Sequence, residues 1–194
     1  MNLLLRAIKK AGYKAIVRLT NKSSDFTGFD KYYLAGAYHW NEIETNCYYR
    51  QKAEFICKAC NKECETVADF GCGDGALLGF LAVNYPETVF LGIEADRTGA
   101  KLAKKMLARR GIRNVTIKRS SFETLQVDTC TADLAYSMDV IEHLPNPTIM
   151  LERMAGMIRP NGRAIIGTPL FINSGLISPY HVHEFKAEEL KSLI

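Results

Sequence analysis

Residues 66–75, Thr-Val-Ala-Asp-Phe-Gly-Cys-Gly-Asp-Gly, constrain the fold of this 194-residue chain more than any other stretch. A short β-rich run, Val67 to Phe70, leads into Gly71-Cys72-Gly73-Asp74-Gly75. An apolar helical pattern follows at once (Ala76, Leu77, Leu78, Phe80, Leu81, Ala82). Strand, glycine loop and helix in that order open a nucleotide-binding α/β sheet. Glycines let the backbone turn sharply and come close to a ligand. The acids select the ligand. Asp69 and Asp74 flank the glycines, so carboxylates lie beside whatever the loop holds. A pyrophosphate is repelled there, whereas an ammonium and a sulfonium are attracted.

That charge argument separates several readings. Gly71-x-Gly73-x-x-Ala76 fits the loose dinucleotide fingerprint, which keeps an NAD-dependent dehydrogenase as a remote alternative. No Lys-Ser/Thr closes the loop, so it is not a phosphate-cradling P-loop. The paired acids favour S-adenosylmethionine (SAM). A tight turn with no ligand is the competing structural reading.

Downstream the chain alternates. The pattern predicts strands at 67–70, 89–94, 115–118, 134–137 and 164–168, and helices at 76–84, 97–110, 147–158 and 187–194. A further helix runs from about residue 47 to 60. Pro86, Gly111 and Pro160-Asn161-Gly162 punctuate the first three helix ends. Strands separated by helices make βαβ units, hence an α/β fold with a doubly wound, mostly parallel, Rossmann-like sheet of five strands. Residues 1–45 form a helical N-terminal extension with a linker and an aromatic segment; residues 46–194 form the ligand-binding domain.

Lys and Arg outnumber Asp and Glu by 11 to 6 in residues 1–64, against 14 to 15 in the remainder, so the positive excess sits at the N-terminus. Residues 3–19 read as a basic amphipathic helix (Leu4, Ile8, Ala11, Ala15 and Leu19 near one face), suited to an anionic membrane surface, to a partner, or to loose packing on the domain. Residues 20–30 read as a linker. The aromatic stretch Tyr32, Tyr33, Tyr38, His39, Trp40, Tyr48 and Tyr49 lines or lids a pocket, or caps the sheet; Tyr38, His39 and Trp40 are the candidate substrate contacts. Residues 97–119 carry nine basic residues and no acid. They read as a solvated helix face on the outer side of the sheet, which makes nucleic acid an unlikely substrate. The six cysteines, with no secretory signal pattern, read as reduced thiols of a cytoplasmic protein. Cys57, Cys60 and Cys64 fall at helical spacing, as core thiols do, with a zinc or cluster site as the rival.

Ligands of open α/β sheets bind beyond the carboxyl ends of the strands. Glu94 ends the second strand, where an acid can accept both hydrogen bonds of a ribose diol, with Ala95 next to it. Ser121 and Phe122 follow the third strand and suit the edge and face of an adenine. Ser137, Met138 and Asp139 follow the fourth.

The sequence resembles the class I SAM-dependent methyltransferases, of the kind that methylate oxygen or nitrogen in small molecules and glycans. The resemblance rests on 67–75, Gly92-Ile-Glu-Ala95, Ala132-Asp-Leu134, Met138-Asp-Val-Ile-Glu-His-Leu-Pro-Asn-Pro147, Arg159-Pro-Asn-Gly162 and Gly167-Thr-Pro169, and covers about 45–194. It implies that Asp69, Gly71, Cys72, Gly73, Asp74 and Gly75 surround the methionine end of SAM and Glu94 the ribose. Ser121 and Phe122 would take the adenine, and Ser137 and Met138 the floor near the methyl. Ser121 stands where the family usually has Asp. His143, then His183, are the candidate bases. Asp139-x-x-Glu142-His143 is similar to a run that orders the substrate loop in most relatives. It also resembles the Glu-x-x-Glu-His of small-RNA 2′-O-methyltransferases and ubiquinone-pathway O-methyltransferases, which implies an alternative metal set of Asp139, Glu142 and His143 with His181 or His183. Relatives usually add an antiparallel strand pair after the fifth strand. Its absence predicts an exposed edge, and hence a fragment, an edge-paired dimer or a non-catalytic binding module.

Overall fold

The computed structural model describes residues 36–60, 64–171 and 181–194. The expected helix at 3–19, the linker, Tyr32 and Tyr33 lie outside the described residues. Two helices, α1 (His39–Thr45) and α2 (Cys47–Ala59), precede β1 (Thr66–Phe70). Then come α3 (Ala76–Asn84), β2 (Val89–Glu94), α4 (Arg97–Arg109) and β3 (Val115–Arg119). After β4 (Ala132–Met138), a 3₁₀ turn at Ile141–His143 leads to α5 (Pro147–Met157), β5 (Ile158–Gly167) and α6 (Ala187–Leu193). The sheet order is β3-β2-β1-β4-β5 and every pairing is parallel.

This order runs outward from β1 to β3, then returns to the other side of β1 through β4. The direction reverses between β1 and β4, and their carboxyl ends frame a crevice there. β1 is buried over Val67–Phe70 because helices cover both of its faces. On one face Trp40, Ile56, Leu78, Leu81, Ala103 and Leu107 pack from α1 to α4. On the other, Met150, Met154, Met157 and Phe185 pack from α5 and the segment before α6.

Local sequence accounts for the helix ends. Asp96 caps α4 by accepting the Gly99 N–H at 2.7 Å, Asn46 caps α2 by accepting the Tyr48 N–H at 3.0 Å, and Pro147 opens α5 without a donor to satisfy. Apolar α3 lies sandwiched between the sheet and α1, and its Gly79 lets the Trp40 indole close in. A Cβ at that position would stand 2.1 Å from the ring.

The strand expected at 164–168 begins instead at Ile158. Ala132 pairs with Ile158 and Leu134 with Arg163, so β4 advances two residues while β5 advances five. Pro160-Asn161-Gly162 bulges out of a strand instead of separating helix from strand, with Asn161 at φ 68°. β5 is a sheet edge among the described residues. Cys60 and Cys64 lie in the core, and burial pushes the Cys60 thiol up to about 12. No helix among the described residues is long and apolar enough to cross a membrane.

Candidate active site at the carboxyl edge of the sheet

The glycine loop is folded against β2. The N–H groups of Gly71 and Cys72 both donate to the Ile93 carbonyl, at 2.8 and 3.0 Å. Gly71 sits at φ 90°, and a Cβ there would meet Val140 Cγ2 at 2.4 Å. Only glycine therefore lets the loop pass beneath the segment that follows β4.

Glu94 fastens this loop to the start of α4. Its Oε2 accepts the Gly73 N–H at 2.7 Å, and its Oε1 accepts the Asp96 N–H at 2.7 Å. Each oxygen keeps a second lone pair. Burial pushes the Glu94 carboxyl up to about 7, against the opposing pull of the Asp96 and Gly73 N–H groups. Asp69, at the end of β1, is buried more completely. Burial raises it to about 8, the neighbouring Tyr136 hydroxyl opposes that rise, and the Glu94 charge adds to it. The Tyr136 hydroxyl stops short of a well-formed hydrogen bond and is otherwise buried without a partner among the described residues.

Asp74 turns the other way. Its Oδ2 accepts the His39 N–H at 3.1 Å and lies 3.1 Å from His39 Nδ1, while the Asp74 carbonyl accepts the Trp40 indole N–H at 2.8 Å. The acid expected to front a ligand instead pins α1 to the loop. The lid expectation is corrected accordingly: Trp40 is a core residue, 4% exposed. Tyr38 and His39 remain half-buried and in contact, with ring centroids 4.0 Å apart. Phe122 is likewise turned inward, stacked on Phe70 at 5.9 Å, so its ring is part of the core. The Ser121 hydroxyl lies 3.1 Å from that of Thr124, and Ala95 is half-buried beside Glu94.

At the switch point the Ser137 hydroxyl donates to the Phe70 carbonyl at 2.8 Å, tying β4 to β1. Met138 follows and leans over Gly167. Asp139 adopts φ 56°, donates its N–H to the Gly167 carbonyl at 2.8 Å, and forms an ion pair with Lys52 of α2. Lys52 also lies 3.9 Å from the Tyr48 ring centroid. Sequence reading missed Lys52 altogether; a lysine one helical turn after two tyrosines was its only signal.

Beyond Asp139, the 3₁₀ turn gathers titratable groups. Glu142 is fully buried; its Oε2 accepts the Thr168 hydroxyl at 2.9 Å. Its Oε1 has no hydrogen-bond partner among the described residues and lies 4.0 Å from both His143 Nε2 and His181 Nε2. The His181 Nδ1 lies 2.6 Å from Glu184 Oε1. Burial lowers the His143 pKa, against the charge of Glu142. His183 departs from this group: it is about half exposed and bonded to Glu189 at 2.6 Å. Of the expected residues, Asp139, Glu142 and His143 with His181 or His183, the structure brings together Glu142, His143 and His181. Lys52 draws off Asp139, and Glu189 draws off His183.

Residues 67–162 match the family model described as a methyltransferase domain. The chain is 26% identical over 102 residues to the ubiquinone biosynthesis O-methyltransferase of Photobacterium profundum, covering 53% of this chain and 43% of that one. It is 30% identical over 103 residues to trans-aconitate 2-methyltransferase of Methylobacterium nodulans, covering 53% and 38%. The structure of a SAM-dependent methyltransferase from Aquifex aeolicus superposes with a TM-score of 0.65 at 17% identity, over 81% of this chain and 85% of that one. Fold, loop and family match together support a class I SAM-dependent methyltransferase domain over residues 67–162. The chain spans about two-fifths of the length of these curated relatives.

Proposed function

We propose that this domain binds SAM in the crevice between β1 and β4 and transfers its methyl group to an oxygen or nitrogen of a small-molecule acceptor, a class that includes glycans. The observation that carries the reading is Glu94: a buried carboxylate at the end of β2, bonded to the glycine loop, with spare lone pairs for a ribose diol. Asp69, Gly71, Cys72, Gly73 and Gly75 would surround the methionine end, Glu94 and Ala95 the ribose, and Ser121 the adenine edge. Ser137 and Met138 would support the region of the reacting methyl. In this reading Asp74 and Phe122 shape the crevice from behind, since both are engaged elsewhere.

SAM supplies a methyl on a sulfonium, which departs as a neutral thioether. The protein therefore has to align the acceptor, exclude water and give its proton a path. His143, held neutral by burial, is the candidate proton acceptor on the metal-free protein; His183 is the weaker candidate because it faces Glu189. The names of the two curated relatives, which refer to ubiquinone biosynthesis and to trans-aconitate, support a small acceptor. Calorimetric titration with SAM tests the reading, together with methyl transfer from labelled SAM into fractionated small-molecule extracts. Folded protein that takes up no SAM would refute it.

A further inference from the structure

We propose that Tyr136 is a positioning residue for the methyl donor: its hydroxyl closes onto the Asp69 carboxylate and holds it, ionised, against the donor's ammonium. This role rests on the SAM reading of the crevice. The sheet brings the two side chains together. Asp69 of β1 is in register with Tyr136 of β4 on one side and with Gly92 of β2 on the other. Register neighbours in a parallel sheet present their side chains on the same face. Gly92 offers Asp69 no side chain, and the space is filled: a Cβ there would stand 2.8 Å from Cys72 Sγ and 2.8 Å from Leu78 Cδ2. Of the two strand neighbours, Tyr136 alone carries a donor.

That donor is idle in the ligand-free domain. Tyr136 is fully buried, and its hydroxyl has no hydrogen-bond partner among the described residues. A buried polar atom without a partner is costly. The Tyr136 ring packs in the apolar cluster with Leu78, Leu134 and Trp40, a place a phenylalanine would fill equally well. The hydroxyl therefore has to be explained by something other than packing. Asp69 titrates at about 8, so near pH 7 it is mostly a neutral acid and a poor acceptor. A ligand ammonium ionises it, and a carboxylate accepts a hydroxyl hydrogen bond far more strongly. The other titratable groups around the pair are Glu94 of β2, Cys72 of the glycine loop and Cys60 at the end of α2. Burial holds both thiols neutral, and the Glu94 charge opposes ionisation of Asp69. Tyr136 is thus the group on this face that favours the charged form.

S-adenosylhomocysteine (SAH) is the probe, because it keeps the ammonium and the ribose and withstands alkali. Wild-type chain and Tyr136→Phe are titrated with it calorimetrically at pH 7 and pH 9. The ratio of the two affinities at each pH cancels the titration of the ligand's own amine and of Glu94. The variant should bind about fivefold more weakly, or worse, at pH 7, as loss of a hydrogen bond to a charged group requires. The gap should narrow at pH 9, where Asp69 ionises with less help. No weakening at pH 7, or the same weakening at both pH values, would overturn the role. Urea denaturation without ligand gives a second readout. The folded-state pKa of Asp69 is raised, so stability is lost as pH climbs to about 8, and without the hydroxyl the loss continues to higher pH. Tyr136→Phe should match or exceed wild type at pH 6 and fall below it at pH 9; absence of this crossover would also overturn the role. Tyr85→Phe is the control, since that hydroxyl donates to the Cys57 carbonyl at 2.6 Å, away from the crevice; it should leave the SAH affinity unchanged. Folded wild-type protein that takes up no SAH would refute the methyl-donor reading and the role with it, whereas the crossover reports the coupling of hydroxyl and carboxyl by itself.

Discussion

With the ribose on Glu94 as proposed, its raised carboxyl should make SAM affinity depend on pH in a calculable way. In the ligand-free domain it titrates at about 7. To accept two hydrogen bonds from a ribose diol it must be ionised, so binding below that pH expels a proton. Apparent affinity then carries the factor 1 + 10^(pKa − pH) as a penalty, which is about 11 at pH 6.0 and about 1.3 at pH 7.5. Affinity should therefore fall about eightfold from pH 7.5 to 6.0, or about 1.3 kcal/mol. The sign follows from the direction of the shift: acid protonates the group that must be charged, and so weakens binding. Isothermal titration in two buffers of different ionisation heat reads both the affinity and the proton released, close to one per SAM at pH 6. Glu94→Gln should bind more weakly and lose this part of the slope, with any residual slope belonging to Asp69. Wild-type affinity that is flat across this range with no proton release, or an unchanged slope in Glu94→Gln, would refute the assignment of the ribose to Glu94.

Gly79→Ala should destabilise the domain although alanine is the better helix former. The propensity gain is at most about 1 kcal/mol, whereas a Cβ placed 2.1 Å from the Trp40 ring forces repacking at about 1–3 kcal/mol; urea denaturation gives the balance. Gly71→Ala combines a positive φ with a Cβ in the Val140 side chain, so it should lower stability by about 1–3 kcal/mol and abolish SAM uptake in a thermal-shift assay. Asp69→Asn should raise the melting temperature, and by more at pH 8 than at pH 5. The Asp69 pKa is raised on folding to about 8, so the wild-type chain loses stability as pH climbs from the ordinary carboxyl range towards 8, and the amide removes that loss.

The strand-loop-helix unit around Gly71 was legible because strand pattern, glycines and helical pattern all agreed on it. β2, Glu94 and α3 followed with their boundaries intact. β5 was misplaced at its start because Pro-Asn-Gly is turn chemistry, and nothing local distinguishes a turn between elements from a bulge within one. At the site, Glu94 could be located from strand position alone. Asp74 and Phe122 could not, because a side chain just past a strand turns towards whichever partner is nearest. Those partners, His39 and Phe70, lie 35 and 52 residues away. His181 and His183 were interchangeable in sequence. Glu184 and Glu189 decided between them, and only the fold brings Glu142 to one of the pair.

The bulge in β5 also has a practical use. Pro160 and Asn161 are exposed where that strand begins, at the rim opposite the carboxyl ends that carry Glu94, Met138 and Glu142. The three residues already looped out there show that this rim absorbs additional chain without disturbing the parallel ladder. A peptide tag or fluorescent reporter spliced in at Asn161 would thus sit on the underside of the molecule, free for surface immobilisation while turnover is watched on the upper side.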